Sequence, residues 1–404
     1  MEKNTANMDI NVTPDIRFPG FSEKWEIKTL GELATKVNRK NRQLQVSRVL
    51  TNSATEGIID QNDYFDRDIA VKENTENYHI VEAGDFVYNP RISVSAPVGP
   101  ISVNKVGTGI MSPLYTVFRI QDGYIPFYEQ YFQTKIWHSY LKSIANFGAR
   151  FDRMNITTEG FFNMPIFVPS FAEQKKIAEC LEVEDKMIAA QKQKVESLKA
   201  HKIGLMQQLF PQPGTTTPSL RFPGFTGEWE ENKLASLCIN EDSKRRPVAK
   251  SQRELGKYPY YGANGIQDYV NDFLFSGERL LVGEDGSVLS KDNTPIVNWA
   301  SGEFWVNNHA HVLAQKKGIS LKYIFYILST IKIQGLVTGI PPKLNQENLN
   351  NINISLPSSL VEQEKIAECL STIDDIIDAE QNKLDALTTH KKGLMQQLFP
   401  QPVK

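Results

Sequence analysis

Over residues 170–209 apolar side chains recur at spacings of three, four or seven: Ile177, Leu181, Ile188, Val195, Leu198, Leu205 and Leu209. The same rhythm returns over 359–398 at Ile366, Leu370, Ile373, Ile377, Leu384, Leu387, Leu394 and Leu398. Such spacing places one apolar seam along a helix, ready for knobs-into-holes packing against another helix. Pro169 and Pro357 precede the two stretches, and Pro211 and Pro400 end them, since proline cannot continue the hydrogen-bond ladder. Ser170 with Glu173, and Ser359 with Glu362, fit a capping box. In that motif the serine accepts from the third amide and the glutamate reaches back to the cap amide. The pattern predicts two rods of about 38 residues, each on the order of 57 Å long. Glu184, Gln191 and Lys202 interrupt the first seam, and Glu380 and Lys391 the second. Polar residues at seam positions set register.

Ahead of each rod the pattern changes. Short apolar runs bounded by glycine, proline and asparagine, such as 79–89, 109–120 and 278–288, read as strands and turns. Helical stretches follow late in each insert, at 125–145 and 321–333. Each insert is therefore mixed α and β.

The chain also repeats itself. IRFPGFSEKWE (16–26) returns as LRFPGFTGEWE (220–230), EQKKIAECL (173–181) as EQEKIAECL (362–370), and HKIGLMQQLFPQP (201–213) as HKKGLMQQLFPQP (390–402). What lies between these blocks does not repeat, so one framework holds two different surfaces. The implied layout is a flexible tail (1–15), a first insert domain (16–164), a long helix (165–210), a linker (211–219), a second insert domain (220–353) and a second long helix (354–404). The linker is short, so the second helix returns towards the first insert only if the rods pair antiparallel. That pairing relates the copies by a pseudo-two-fold axis. The expected fold is α+β, with two mixed domains separated by an antiparallel coiled coil.

Composition narrows the class. Of 404 residues, 40% are hydrophobic and 23% charged, which fits a soluble protein of two or three domains. No apolar run approaches the roughly 20 residues of a membrane span, and the polar N-terminal stretch lacks the apolar core of a signal peptide. A cytoplasmic protein is expected. The net charge of -2 supplies no global basic field, so any nucleic-acid contact must come from local clusters. Cys180, Cys238 and Cys369 form no CxxC pair and have no histidine at ligand spacing, which reads as small buried side chains in a reducing compartment. No P-loop, no G-x-G-x-x-G and no aminomethyltransferase tetrapeptide is present. His309 and His311 would point to opposite faces of a strand and make a poor metal site. No catalysis, metal or cofactor is expected in this chain.

Two variable inserts, each followed by a helix opening on Glu-Gln after a proline (Pro169 to Gln174; Pro357 to Gln363), resemble the specificity subunit of type I restriction-modification enzymes (HsdS). The RFPGF entry and GLMQQLFP exit look like that family's repeated regions. YPYYGANGI (258–266), LLVGEDGSV (280–288) and FWVNNHAHVL (304–313) are similar to one type of target-recognition domain, and GDFVYN (84–89) with SPLYTVF (112–118) to another. The resemblance implies that each insert reads one half of a split, asymmetric duplex DNA target while the helices fix the gap. It further implies two methyltransferase subunits using S-adenosylmethionine, and motor-nuclease subunits driven by ATP with Mg. These cofactors belong to the partner subunits.

DNA contact needs cations for phosphates and polar groups for base edges. In the first insert the candidates are Arg39, Lys40 and Arg42, then Asn89 and Arg91, then Arg150 and Arg153. In the second they are Lys244, Arg245 and Arg246, then Tyr261 and Asn264, then Asn307, Asn308 and His309, and Lys343. RFPGF-x-x-x-W is expected to pack rather than read, because a discriminating surface would differ between the copies. Gly204 and Gly393 sit inside helices, where glycine costs about 1 kcal/mol, so close packing, a kink or a docking surface is expected there. A competing reading is a coiled-coil adaptor whose inserts bind proteins; a third is an enzyme with an unrecognised motif.

Overall fold

The computed structural model describes residues 13–61, 75–146 and 152–400. Most of the tail proposed for 1–15 lies outside them, but Ile16 is already anchored, its N–H donating to the Gln397 carbonyl at 3.0 Å. The chain divides into two compact units, Met1–Ala190 with Leu384–Lys404, and Gln191–Lys383. Each unit takes one insert and a length of both long helices, so the rods are not domains of their own.

The two inserts share a framework. In the first unit the entry strand Glu26–Thr29 pairs antiparallel with the exit strand Pro165–Val168. In the second, Glu230–Lys233 pairs with Asn353–Leu356 in the same way. Beside each pair lies a four-stranded antiparallel sheet. Its order is Ala34–Lys36, Thr116–Ile120, Phe86–Tyr88, Ile101–Val103 in the first unit, and Cys238–Asn240, Ala310–Gln315, Arg279–Gly283, Val297–Ala300 in the second. Then they diverge. The first adds the hairpin Leu50–Ser53/Gly57–Asp60 and the pair His79–Val81/Gly109–Met111. The second adds a sheet ordered Gly265–Val270, Leu255–Gly262, Glu303–Val306, Phe275–Ser276. The helix expected over 125–145 is two helices, Ile125–Gln133 and His138–Ile144, and that over 321–333 stops at Leu328.

The long helices run Phe171–Leu209 and Leu360–Leu398. Every residue assigned to their seams is buried or half-buried. In the second unit Lys202 pairs with Asp374 at 2.5 Å, and Gln191 donates to Glu380 Oε2 at 2.6 Å. Numbers rise on one helix as they fall on the other, so the pairing is antiparallel. In the first unit Lys391 pairs with Asp185 at 2.5 Å while Leu394, Leu398 and Phe399 join the core near Ile177 and Leu181. The two lysines that interrupt the seams thus each meet an aspartate across it.

The capping boxes form only in half. The Glu173 and Glu362 amides donate to Ser170 and Ser359 Oγ at 3.4 and 3.3 Å, as expected. Their carboxylates do not turn back to the cap. Glu173 instead takes a bidentate pair from Arg17 at 2.9 and 2.6 Å, and Glu362 takes one from Arg221 at 2.6 and 2.9 Å. A buried carboxylate gains more from a two-pronged guanidinium than from one amide. The next residue is equally fixed. Gln174 accepts from the Tyr124 amide at 2.8 Å and Gln363 from the Ser320 amide at 2.9 Å, each beside the start of a helix of its insert. Lys176 lies 5.8 Å from the Phe18 ring centre, and Lys365 lies 5.5 Å from that of Phe222. Trp25 packs with Phe127 and Phe399, and Trp229 with Tyr323 and, through it, Phe210. The repeated blocks are packing and anchoring residues, as their identity in both copies suggested.

Candidate nucleic-acid interface

In the second unit five loops are laced together by backbone bonds. Asn307 N–H donates to Tyr261 O at 3.0 Å, Arg246 to Val306 O at 3.2 Å, and Glu284 to His309 O at 2.8 Å. Leu344 N–H donates to Glu284 O at 2.8 Å, and Gly286 to Pro342 O at 3.1 Å. The proposed readers Tyr261, Asn264, Asn307, Asn308, His309, Lys343 and the 244–246 cluster therefore share one edge of the domain.

The structure sorts these residues by what their side chains already hold. Tyr261 is buried and packs edge-on against Phe304, so it belongs to the core and not to the reading set. Asn307 is buried too; its Oδ1 accepts from the His309 amide at 2.8 Å and its Nδ2 donates to Gln267 at 3.3 Å. Arg245 is 13% exposed and donates to Glu284 at 2.5 Å and to the Ala310 carbonyl at 2.8 Å. Asn307 and Arg245 share a cause: a polar group in a loop packed on a sheet finds protein partners before it finds solvent. Lys244 pairs with Glu241 at 2.5 Å, yet its side chain stays 58% exposed. Lys343 is exposed with Glu284 at 3.1 Å, and His309 is exposed beside Asp285. Arg246, Asn264 and Asn308 are exposed, and their side-chain polar groups have no partner among the described residues. Asn264 stands on the tip of the hairpin between Leu255–Gly262 and Gly265–Val270. A Cβ on Gly262 would lie 2.0 Å from Gln267 Nε2, so the end of that side chain would have to move aside.

Beneath these loops Asp242, Glu284 and His311 bring oxygen and nitrogen atoms within 4.8 Å of one another, a spacing that fits a cation. The atoms are already spent. His311 Nδ1 meets Asp242 at 2.6 Å and its Nε2 meets the Leu344 carbonyl at 2.8 Å, while Arg245 and Lys343 take Glu284. Burial pushes the Asp242 carboxyl up, but the His311 bond and charge, the Val312 amide and the Arg245 charge outweigh it and hold it below its usual range. The cluster is a charge-balanced support for the loops above.

In the first unit Arg39 and Arg119 share the carboxylates of Glu82 and Asp85, so the charge of Arg39 is matched. Lys40 donates to the Asn77 carbonyl at 2.9 Å and lies 3.0 Å from His79 Nε2. Burial, then repulsion from Lys40 and Lys36, pushes His79 down to about 4, so its ring is neutral and can accept from Lys40. Asn89 faces inward: its Nδ2 donates to the Asn52 carbonyl at 3.0 Å and its Oδ1 accepts from the Arg91 amide at 3.0 Å. It fixes the turn. Arg42 and Arg91 are exposed with no ion-pair partner among the described residues. A backbone bridge sets Arg91 opposite Arg153, whose guanidinium lies 3.6 Å from Asp152. Arg150 lies outside the described residues. A cleft of about 640 Å³ opens beside this domain's hairpin, lined by Ser53, Glu56, Ser95, Glu129, Gln133 and His138 among others. Sequence reading missed the Arg119 partner of Arg39, which its alternating strand pattern did not distinguish from an outward-facing cation.

A sequence profile described as the type I restriction modification DNA specificity domain matches residues 22–200 and again 226–389. The chain belongs to this family. A Haemophilus influenzae protein provisionally named a type I restriction enzyme specificity subunit, S.HindORF215P, is 36% identical over 149 residues, covering 36% of this chain and 38% of its own length. The MjaVIII specificity subunit of Methanocaldococcus jannaschii is 24% identical over 426 residues, covering 93% of this chain and 92% of its own. Among solved structures, the S subunit of a type I restriction-modification system from M. genitalium superposes with a TM-score of 0.62 at 15% identity, covering 97% of this chain and 100% of that one. A second, from work on complex assembly in a type I system, gives 0.55 at 16% identity, covering 96% and 100%. These structures share the fold: two mixed α/β recognition domains and two long helices paired antiparallel. The specificity-domain profile matches twice because the chain carries the same plan twice. Among the described residues no helix is long and apolar enough to cross a membrane.

Proposed function

We propose that each recognition domain reads one half of a bipartite, asymmetric duplex DNA target, and that the paired helices set the gap between the halves. The observation that carries this reading is the contrast within the molecule: matching anchors, Arg17–Glu173 and Arg221–Glu362, hold two loop sets of different sequence. The helices dock methyltransferase subunits through the block repeated at 201–213 and 390–402. Gly204 and Gly393 support that role, because a Cβ at either would meet nothing within 4 Å. Close packing inside the chain is therefore not their reason, and the helices run unbroken through both. A partner's backbone approaching there would be. The chain supplies sequence choice and no catalysis; S-adenosylmethionine, ATP and Mg act on the methyltransferase and motor-nuclease subunits, in the cytoplasm.

Methylation mapping in a host carrying the full system gives the target. Replacing 230–353 by another recognition domain of the same type is then expected to change one half-site and leave the other half and the gap as they were. A change in both halves would show that the domains do not read independently.

A further inference from the structure

Among the described residues the two most exposed large apolar side chains are Val94 and Ile340, at 105 and 102% of full exposure. Singly exposed apolar residues are common and by themselves mean little. These two differ in where they stand. There is one in each recognition domain, and each is held on a closed turn. Around Ile340, Thr338 and Lys343 exchange backbone bonds at 2.9 and 2.8 Å. Within that turn Gly339 sits at φ +82°, and Pro341 and Pro342 each have φ fixed by their rings. Around Val94, Ser93 N–H donates to the Ala96 carbonyl at 3.0 Å, and Ser93 Oγ accepts from the Ala96 amide at 3.0 Å. Such turns hold a side chain out in a fixed position, so little freedom is lost on contact.

Each tip is flanked by cations. Lys343 closes the Ile340 turn and lies exposed beside Glu284, on the edge that carries Arg246, Asn264 and Asn308. Arg91 lies three residues before Val94, exposed and bridged to Arg153. If these edges meet duplex DNA, as proposed above, an aliphatic tip offers no hydrogen bond or charge to phosphate or sugar. The one apolar group that a base pair presents in the major groove is the thymine 5-methyl.

We infer that Ile340 and Val94 are specificity-determining residues, each packing on a thymine methyl in the half-site its domain reads. This rests on the DNA-reading role proposed above. Lys343 and Arg91 hold the neighbouring backbone. Recognition of T by this contact needs no hydrogen bond, which is why neither tip carries a polar side chain.

The test uses the full chain assembled with its methyltransferase subunits. Wild type, Ile340→Ala and Val94→Ala are compared on duplexes of the mapped target in which uracil replaces each thymine in turn, which removes only the methyl. One uracil in one half-site is expected to weaken wild type about fourfold, the worth of one buried methyl group, and to leave Ile340→Ala unaffected. A second uracil, in the other half-site, is expected to do the same with Val94→Ala. Both variants should keep the wild-type melting temperature. Variants as sensitive to every uracil as wild type would overturn the inference, as would both variants affecting the same half-site. A loss that ignores the uracils would overturn it in favour of a wedge between base steps. A wild-type complex that methylates no defined sequence would instead bring down the DNA-reading role itself.

Discussion

Arg17 and Arg221 do the same thing in the two units, whereas Arg39 and Arg245 do not. The first two come from repeated sequence, and each closes on the glutamate that opens a long helix. The second two come from the basic clusters that open the inserts. Arg39 shares two carboxylates with Arg119 near the surface, while Arg245 is drawn under the loops onto Glu284 and the Ala310 carbonyl. Where the chain repeats its residues it repeats its main contacts, down to Lys176 over Phe18 and Lys365 over Phe222, although Arg221 also donates to the Thr226 and Gly227 carbonyls. Where it does not, similar clusters acquire different partners. The framework holds geometry constant so that the loops are free to differ.

The harshest way to break this comparison is to remove one copy. Residues 1–213 keep the first insert and the first rod but lose Leu394, Leu398 and Phe399, which fill the core around Trp25, Phe127 and Ile177. Each lost Leu or Phe is worth about 2–5 kcal/mol. The fragment carries nearly the same block at 201–213, which differs from 390–402 only by Ile203 in place of Lys392. A second copy can therefore offer Leu205, Leu209 and Phe210 in their stead, with its Lys202 facing Asp185. A symmetric dimer is expected in sedimentation, less stable than the whole chain because Gln191 then meets Gln191 rather than Glu380. A folded monomer would contradict the repeated-contact picture.

A gentler cut removes one anchor. Glu173→Ala leaves Arg17, 12% exposed, without its carboxylate, and about 3 kcal/mol of stability is expected to go, as when one partner of a buried pair is removed. Glu362→Ala should cost less, because Arg221 keeps the Gly227 and Thr226 carbonyls at 2.5 and 3.1 Å. Denaturant unfolding of both variants checks this. A larger loss at Glu362 than at Glu173 would mean that these carbonyls do not hold Arg221 once its carboxylate is gone.

The basic clusters sharpen the contrast from the other side. Arg245→Ala is expected to destabilise the chain by about 2 kcal/mol, because Glu284 loses a buried partner. Arg246→Ala should leave unfolding unchanged and weaken DNA binding by the assembled complex. If Arg246 reads a guanine, the loss is about 1–3 kcal/mol and confined to one position; if it touches phosphate, the loss is spread over all sequences and the salt slope falls by about 1. Reversed outcomes for these neighbours would return Arg245 to the reading set.

Much of the framework was legible because helices and repeats announce themselves locally. The seam spacing, the capping serines and the bracketing prolines mark the helices Phe171–Leu209 and Leu360–Leu398, and the short linker gave their direction, but a layout that starts them at 165 and 354 takes in the exit strands Pro165–Val168 and Asn353–Leu356. Strand order was not legible, because it depends on which distant strands meet: Thr116–Ile120 lies between Ala34–Lys36 and Phe86–Tyr88. The Glu-Gln pair was visible as a motif, but its use was not. A capping box accounts for Glu173 until Arg17, 156 residues away, is seen to claim it. The candidate site residues were legible as types in loops and no further. Asn89 and Asn307 look like Asn264 and Asn308 in sequence, and only the packing of neighbouring backbone separates the bonded amides from the free ones.

The smallest expected effect bears on the repeated block itself. Glycine inside a helix is less favourable than alanine by about 1 kcal/mol, and both copies keep one, at Gly204 and Gly393. A Cβ at either position meets nothing within 4 Å, so nothing inside the chain asks for glycine there. Gly204→Ala with Gly393→Ala should therefore stabilise the isolated chain, by up to about 1 kcal/mol per site, since alanine fits both positions without strain. If methyltransferase subunits bring their backbone against these points, the same double variant should bind them more weakly, and methylation in the assembled complex should fall. Calorimetric unfolding and a pull-down titration read the two effects separately. A stabilised chain that binds its subunits unchanged would remove the repeated glycines from the docking surface and leave them as residues that the fold merely tolerates.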